Sequence, residues 1–178
     1  MRVVCLFVST LTGLFSVAKL SATLMMPLPV EELTQRADLI LHATVTSKVC
    51  ERTAEGRIIT RVELEVSEVW KGNLTTNHFT VVHGGGTVGN ICTEVSGQVE
   101  YTVGEEVVAF LVLNPRGEGV TLGLAQGKFH IWKDQKTGEK FAHNIFHGAT
   151  KEEAAADDKK TAKLALKELA RVAQRGAR

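Results

Sequence analysis

From Leu39 the chain alternates with a period of two. Leu39, Leu41, Ala43, Val45 and Val49 interleave with Ile40, His42, Thr44, Thr46 and Lys48, the spacing of a half-buried strand with one nearly apolar face. Ala54-Glu55-Gly56 supplies a turn, after which Val62, Leu64 and Val66 alternate with Arg61, Glu63, Glu65 and Ser67, so a long antiparallel hairpin is expected. Lys71-Gly72-Asn73 breaks the pattern, and Phe79 to Val82 forms a third strand running into His83-Gly84-Gly85-Gly86. The loop of about twenty residues that follows carries Cys92 and is long enough for a functional or covering role. Val107 to Leu113 is a continuous apolar run suited to a strand covered on both faces. Asn114-Pro115-Arg116-Gly117 then turns into a fifth strand through Val120, Leu122 and Leu124, with Gly123 and Gly127 permitting a bend. Phe129 and Ile131 resume the inward pattern, and Lys136-Thr137-Gly138 closes a last hairpin with Phe141 to Phe146.

The period changes at both ends of this β region. After Pro27 and Pro29, Val30 to Ala37 is expected to form a short helix with Glu31 and Glu32 in its first turn. Thr150 to Glu153 has the form of a capping box, and the Ala-, Lys- and Leu-rich stretch to Arg175 predicts one amphipathic helix. On it Ala162, Ala165, Leu166, Leu169, Val172 and Ala173 share one arc, opposite Lys160, Lys163, Lys167, Arg171 and Arg175. That narrow arc suits docking on the β region more than insertion into lipid.

The first residues have another use. Met1-Arg2, the uncharged run Val3 to Val17 and the small-residue sites Ser16-Val17-Ala18 and Leu20-Ser21-Ala22 have the order of a secretory signal, too short for a usual membrane span. The expected organisation is a signal peptide over 1–22, cleaved after Ala18 or Ala22, a β domain over 23–149 and a helical tail over 150–178, with the mature protein secreted or periplasmic and no membrane contact beyond export.

A net charge of +1 argues against a general attraction to nucleic acid. Residues 150–178 hold eight basic against five acidic side chains, so the slight positive charge is concentrated in the tail. Cys5 leaves with the signal, and in an oxidising compartment Cys50 and Cys92 are expected to pair. Closing that loop of about 43 residues contributes about 4 kcal/mol in the chain-entropy description.

Candidate chemistry is sparse. His83-Gly84-Gly85-Gly86 after a strand has the form of an oxyanion loop, but neither a GxSxG elbow nor a βαβ alternation accompanies it. His143 and His147 form HxxxH, which chelates a metal only on a helix; on the expected strand they lie about 13 Å apart. A third ligand would come from His130 or Glu139, and HExxH is absent, so neither a metal nor any other cofactor is assigned. Asn73-Leu74-Thr75 matches a glycosylation triplet, relevant only in a secreted eukaryotic protein, and no phosphate-binding fingerprint precedes a helix.

The run Leu33-x-x-Arg36-Ala37-Asp38-Leu39-Ile40, the strand end Val66-Ser67-Glu68-Val69-Trp70-Lys71-Gly72, the loop cysteine Cys92 and Gly104-Glu105-Glu106-Val107-Val108-Ala109-Phe110-Leu111 together resemble the netrin-like module, which includes the N-terminal domain of tissue inhibitors of metalloproteinases. The resemblance spans residues 31–132 and implies a mainly β, OB-fold-like five-stranded antiparallel barrel, here with a short N-terminal helix and a C-terminal amphipathic helix. Gly123 to Phe129 also resembles a feature of small exported bacterial proteins. Those inhibitors bind a protease's zinc through an N-terminal cysteine, and this mature chain begins at Lys19 or Thr23, so that activity does not carry over. The expected function is an exported, non-enzymatic binding module for a protein or peptide, with His83, Gly84, Gly85 and Gly86 as candidate contacts and no catalytic residue assigned. The alternatives are an inhibitor or accessory partner of a secreted protease, and a small hydrolase using His83 or the His143 and His147 pair.

Overall fold

The computed structural model describes residues 26–156 and 162–176, so the expected signal peptide over 1–22 and Lys160 in the tail lie outside the described residues. Helix α1 (Val30–Arg36) leads into two long strands, β1 (Leu39–Arg52) and β2 (Ile58–Lys71), which pair as the expected antiparallel hairpin. Strand β3 (His78–Gly84) follows, then a small hairpin of β4 (Gly86–Val88) and β5 (Ile91–Thr93) that forms its own two-stranded sheet. Strands β6 (Glu106–Leu113), β7 (Gly119–Thr121), β8 (Lys128–Lys133) and β9 (Lys140–His143) continue the main sheet. Helix α2 (Lys151–Ala156), a two-residue strand β10 (Leu164–Ala165) and helix α3 (Leu166–Gly176) complete the described chain.

The main sheet runs β1-β2-β3-β7-β6-β8-β9-β10, and β1 pairs a second time with β6, so β1, β2, β3, β7 and β6 join in a ring of five strands. All its contacts are antiparallel except β3 with β7, which meet in parallel at Val81 and Gly119. Leu41, Val45, Val62, Leu64, Val81, Tyr101 and Leu111 fill the inside of the ring. On its outer side Ile40, Trp70, Val108, Phe110 and Phe129 pack against Leu33 of α1 and against Leu169 and Ala173 of α3. The continuous apolar run of β6 is therefore covered on both faces, and so is the first half of β1, where Ile40 is as buried as Leu41.

The second half of β1 departs from its alternation. Val45 faces Leu64, but Ser47 faces Glu63, leaving Thr46 as the extra residue of a bulge. One inserted residue exchanges the two faces of a strand. Beyond it Lys48 and Cys50 take the inward register, opposite Val62 and Thr60, and Val49, expected inward, is 56% exposed.

The motifs that carry the family resemblance clamp α1 to the ring. The Asp38 carboxylate accepts the Leu113 amide at 2.8 Å, and the Lys71 ammonium donates to the Thr34 and Gln35 carbonyls at the end of α1. A Cβ at Gly72 would run into the Leu39 side chain and lie 2.8 Å from the Asp38 carbonyl, at a φ of +85°.

The fifth strand is shorter than expected. Leu124 has a φ of +60° and starts a 3-10 turn over Leu124–Gly127, so only Gly119–Thr121 extend. The tail is not one helix. The capping box forms as expected, with Glu153 accepting the Thr150 amide at 2.9 Å and Thr150 accepting the Glu153 amide at 3.2 Å, but it starts the short α2. Leu164 and Ala165 then add a strand to β9 before α3 begins. Docking of the tail is observed, since Leu169 and Ala173 are fully buried. Among the described residues no helix is long and apolar enough to cross a membrane.

Candidate functional site

The glycine run and both cysteines meet at one end of the ring. Cys50 faces Thr60 across β1 and β2, and Thr60 faces His83 across β2 and β3, so the three side chains form a row on the inner side of the sheet. Beneath them Tyr101, fully buried, stacks on the His83 ring at 6.4 Å and shares a 2.8 Å hydrogen bond with the Thr121 hydroxyl. Burial drives the Tyr101 hydroxyl far above its ordinary pKa.

Thr60 ties the row to the glycine run. Its hydroxyl donates to the Gly85 carbonyl at 2.7 Å, and its oxygen lies 3.3 Å from Cys50 Sγ. Gly85 in turn donates its N–H to the Ile58 carbonyl at 3.0 Å. A Cβ on Gly86 would lie 2.6 Å from Cys50 Sγ and 2.7 Å from Thr60 Oγ1, so only glycine lets the backbone lie flat on this row. The Cys50 thiol is held below its ordinary pKa by Thr60, then by the Thr87 backbone N–H. His83 donates Nδ1–H to the Gly84 carbonyl at 2.9 Å, which leaves Nε2 an acceptor, buried and without a partner among the described residues. Burial lowers the His83 pKa and keeps the ring neutral.

The expected disulfide is not formed: Cys50 and Cys92 are both free thiols. Cys50 Sγ is turned toward Thr60 and the Thr87 amide, whereas Cys92 lies one strand further out, exposed and opposite Thr87 on β5. The oxyanion reading of the glycine run is also set aside. Gly84 sits in the ladder opposite Ile59, Gly86 opposite Thr93, and the Gly85 N–H is spent on Ile58, so these amides do not converge on one point.

The β4–β5 hairpin covers the row and is itself open to solvent. A two-residue turn, Gly89-Asn90, joins Val88 to Ile91, and Gly89 takes the positive φ of +57° that such turns require. All of β5 is exposed, with Ile91 51% and Val95 43% accessible. Two open clefts of about 480 and 510 Å³ flank the hairpin base and share His83, Gly84, Gly85, Thr93 and Val95. The residues that flank a two-residue hairpin turn, here Val88 and Ile91, form a bonded pair, so the next pair, Thr87 and Cys92, does not, and the Thr87 N–H points away from β5. Opposed residues of an antiparallel pair alternate between bonded and non-bonded, so Thr87 and Cys92 are a non-bonded pair and the Cys92 N–H and C=O point to the outer edge of β5. Periodicity could not reveal this edge, because a three-residue strand is too short to show one.

HxxxH is split. β9 ends at His143, and the Asn144 carboxamide then accepts the Phe146 and His147 amides at 2.8 and 2.7 Å, so the expected strand to Phe146 is a turn from Asn144 on. His147 Nε2 meets the Leu28 carbonyl at 2.8 Å and the ring stacks on Phe129, a structural role. His143 instead faces His130 across β8 and β9. Glu139 lies in the hairpin turn, its carbonyl accepting the Asp134 amide.

No protein-family model matches the chain, and no curated protein matches it.

Proposed function

We propose that this protein is an exported, non-enzymatic binding module of OB type whose ligand is an extended peptide segment of a partner protein, added as a strand to the free edge of β5. The observation that carries this reading is the outward N–H and C=O of Cys92 on an exposed edge between two clefts. Sheet edges are ordinarily blunted by shortness, charge, proline or bulges; Ile91–Thr93 is short, at three residues, but carries no charge, proline or bulge. Main-chain pairing to such an edge supplies affinity, and neighbouring pockets select alternate side chains. Ile91 and Val95 supply exposed apolar contact beside it.

The closed ring, with β1 returning to β6, supports the OB reading. Export rests on the ordered signal features of residues 1–22. The non-enzymatic reading rests on the sequence, which carries neither a GxSxG elbow beside its glycine run nor an HExxH signature.

The test is selection of binders from a displayed library of unstructured peptides, followed by binding to a Cys92→Pro variant, which loses the outward donor. Selected peptides are expected to bind the native protein and to lose at least tenfold in affinity to Cys92→Pro, with melting of the ring unchanged. Peptides that bind both proteins equally, or a library that gives no binder, would refute the edge as the site.

A further inference from the structure

His130 and His143 sit directly opposite one another on β8 and β9, and both line a cleft of about 380 Å³ with Val99, Lys128, Asn144 and Thr150. Their ring centroids are 5.2 Å apart and the planes are inclined at 63°. Two imidazoles on one tetrahedral ion, with metal–nitrogen bonds of about 2.0–2.1 Å and about 1.15 Å more to each ring centre, put the centroids about 5.2 Å apart. The rings therefore already stand at the separation that a shared ion requires.

The surroundings of the pair match that use. Glu105 Oε2 lies 3.1 Å from His130 Nδ1, and this contact fixes the tautomer, leaving Nε2 with its lone pair directed elsewhere. A carboxylate on the far nitrogen is the usual support of a ligating histidine. His143 Nδ1 is buried and, among the described residues, has no hydrogen-bond partner, an arrangement that costs free energy for a polar atom left unpaired. Lys128 pairs with the other Glu105 oxygen at 2.5 Å; burial and the charges of His130 and Lys128 disfavour a proton on His143, and the carboxylates of Glu153 and Glu152 at the start of α2 act the other way.

We propose that His130 and His143 form a two-imidazole site for a late first-row divalent cation, represented by Zn²⁺, with Glu105 as the residue that positions His130. Imidazole nitrogen favours this end of the row over Mg²⁺ or Ca²⁺. Among the described residues no group of three His, Cys, Asp or Glu is placed to hold an ion, so the remaining positions on the metal belong to water or to a ligand in the cleft.

The test is titration of the protein, purified without a histidine tag, with Zn²⁺ alone, read by calorimetry and by the ring nitrogen resonances of the histidines. One Zn²⁺ per chain is expected, with the His130 and His143 resonances moving together and those of His42, His78, His83 and His147 unmoved. Since loss of even an outer partner costs roughly 10–100-fold, His130→Gln and His143→Gln are each expected to weaken binding more than tenfold, and His147→Gln to leave it unchanged. The resonances decide the matter on the native protein even where a variant does not fold. The proposal is overturned if the His130 and His143 signals stay in place at stoichiometric Zn²⁺, if another histidine takes the ion, or if only one of the two substitutions weakens binding.

Discussion

Gly86→Ala is the sharpest probe of how the hairpin sits on the ring. At a φ of +130° Gly86 occupies a region open to glycine and strained for alanine, by about 1–3 kcal/mol. The added Cβ also meets Cys50 Sγ at 2.6 Å and Thr60 Oγ1 at 2.7 Å. Thr60 is buried and its hydroxyl is tied to the Gly85 carbonyl, so the hairpin must lift instead, at a further cost of about 1 kcal/mol for each hydrogen bond released. Together these come to about 2–4 kcal/mol, or roughly 5–15 °C in melting temperature for a chain of this length. Gly89→Ala is the control. Its φ is +57° but nothing lies within 4 Å of the new methyl, so its cost is only the left-handed backbone, about 1–2 kcal/mol. Calorimetry measures the melting, and thiol labelling followed by mass spectrometry measures access to Cys50. The reasoning fails if Gly86→Ala melts no lower than Gly89→Ala and labels Cys50 no faster than the native protein.

Leu169→Ala empties a fully buried position between α3 and the outer face of the ring, and is expected to cost about 2–5 kcal/mol in chemical denaturation; a loss under 1 kcal/mol would show the tail undocked. The Cys50 thiol is held below its ordinary pKa by Thr60, then by the Thr87 backbone N–H, so the pH profile of Cys50 alkylation is expected to lie below that of an ordinary cysteine; a profile at or above the ordinary one would contradict this. Glu118 is held below the ordinary carboxylate range by Arg61, then by Asn114. Because the folded pKa is the lower one, its contribution is fully present above the unfolded value of about 4.3 and is lost as pH falls through the folded value. Glu118→Gln is expected to reduce the difference in melting temperature between pH 7 and pH 3, and an undiminished difference would contradict the pairing.

The parts of the fold that were legible in the chain are those where one periodicity holds over many residues. The alternation of Arg61 to Ser67 gave β2, and the unbroken run Val107 to Leu113 gave a strand covered on both faces. Legibility stops at single-residue events. The bulge at Thr46 reverses the faces of β1 and brings Cys50 inward, yet nothing in the local composition marks it. Leu124 enters a turn at positive φ with an ordinary strand residue, so β7 ends early. In the tail, helix propensity is uniform, but pairing of Leu164 and Ala165 with β9 overrides it. The candidate site was visible as a glycine run and a loop, because glycine marks close approach. Which atoms approach, Cys50 and Thr60, depends on the register of three strands and was not visible. His130 and His143 are each a potential ligand by residue type, but their partnership is a cross-strand fact that sequence spacing cannot express.

The outer edge of β5 is the surface on which a peptide strand is proposed to add. The direct measurement is hydrogen exchange of backbone amides with and without a saturating selected peptide, combined with cross-strand contacts between peptide and protein in nuclear magnetic resonance. The predicted result is protection of the Cys92 amide, short contacts from peptide backbone protons to Ile91–Thr93, and apolar peptide residues against Ile91 and Val95. An unprotected Cys92 amide in the saturated complex, with the peptide's contacts lying on α3 or the outer face of the ring, would contradict it.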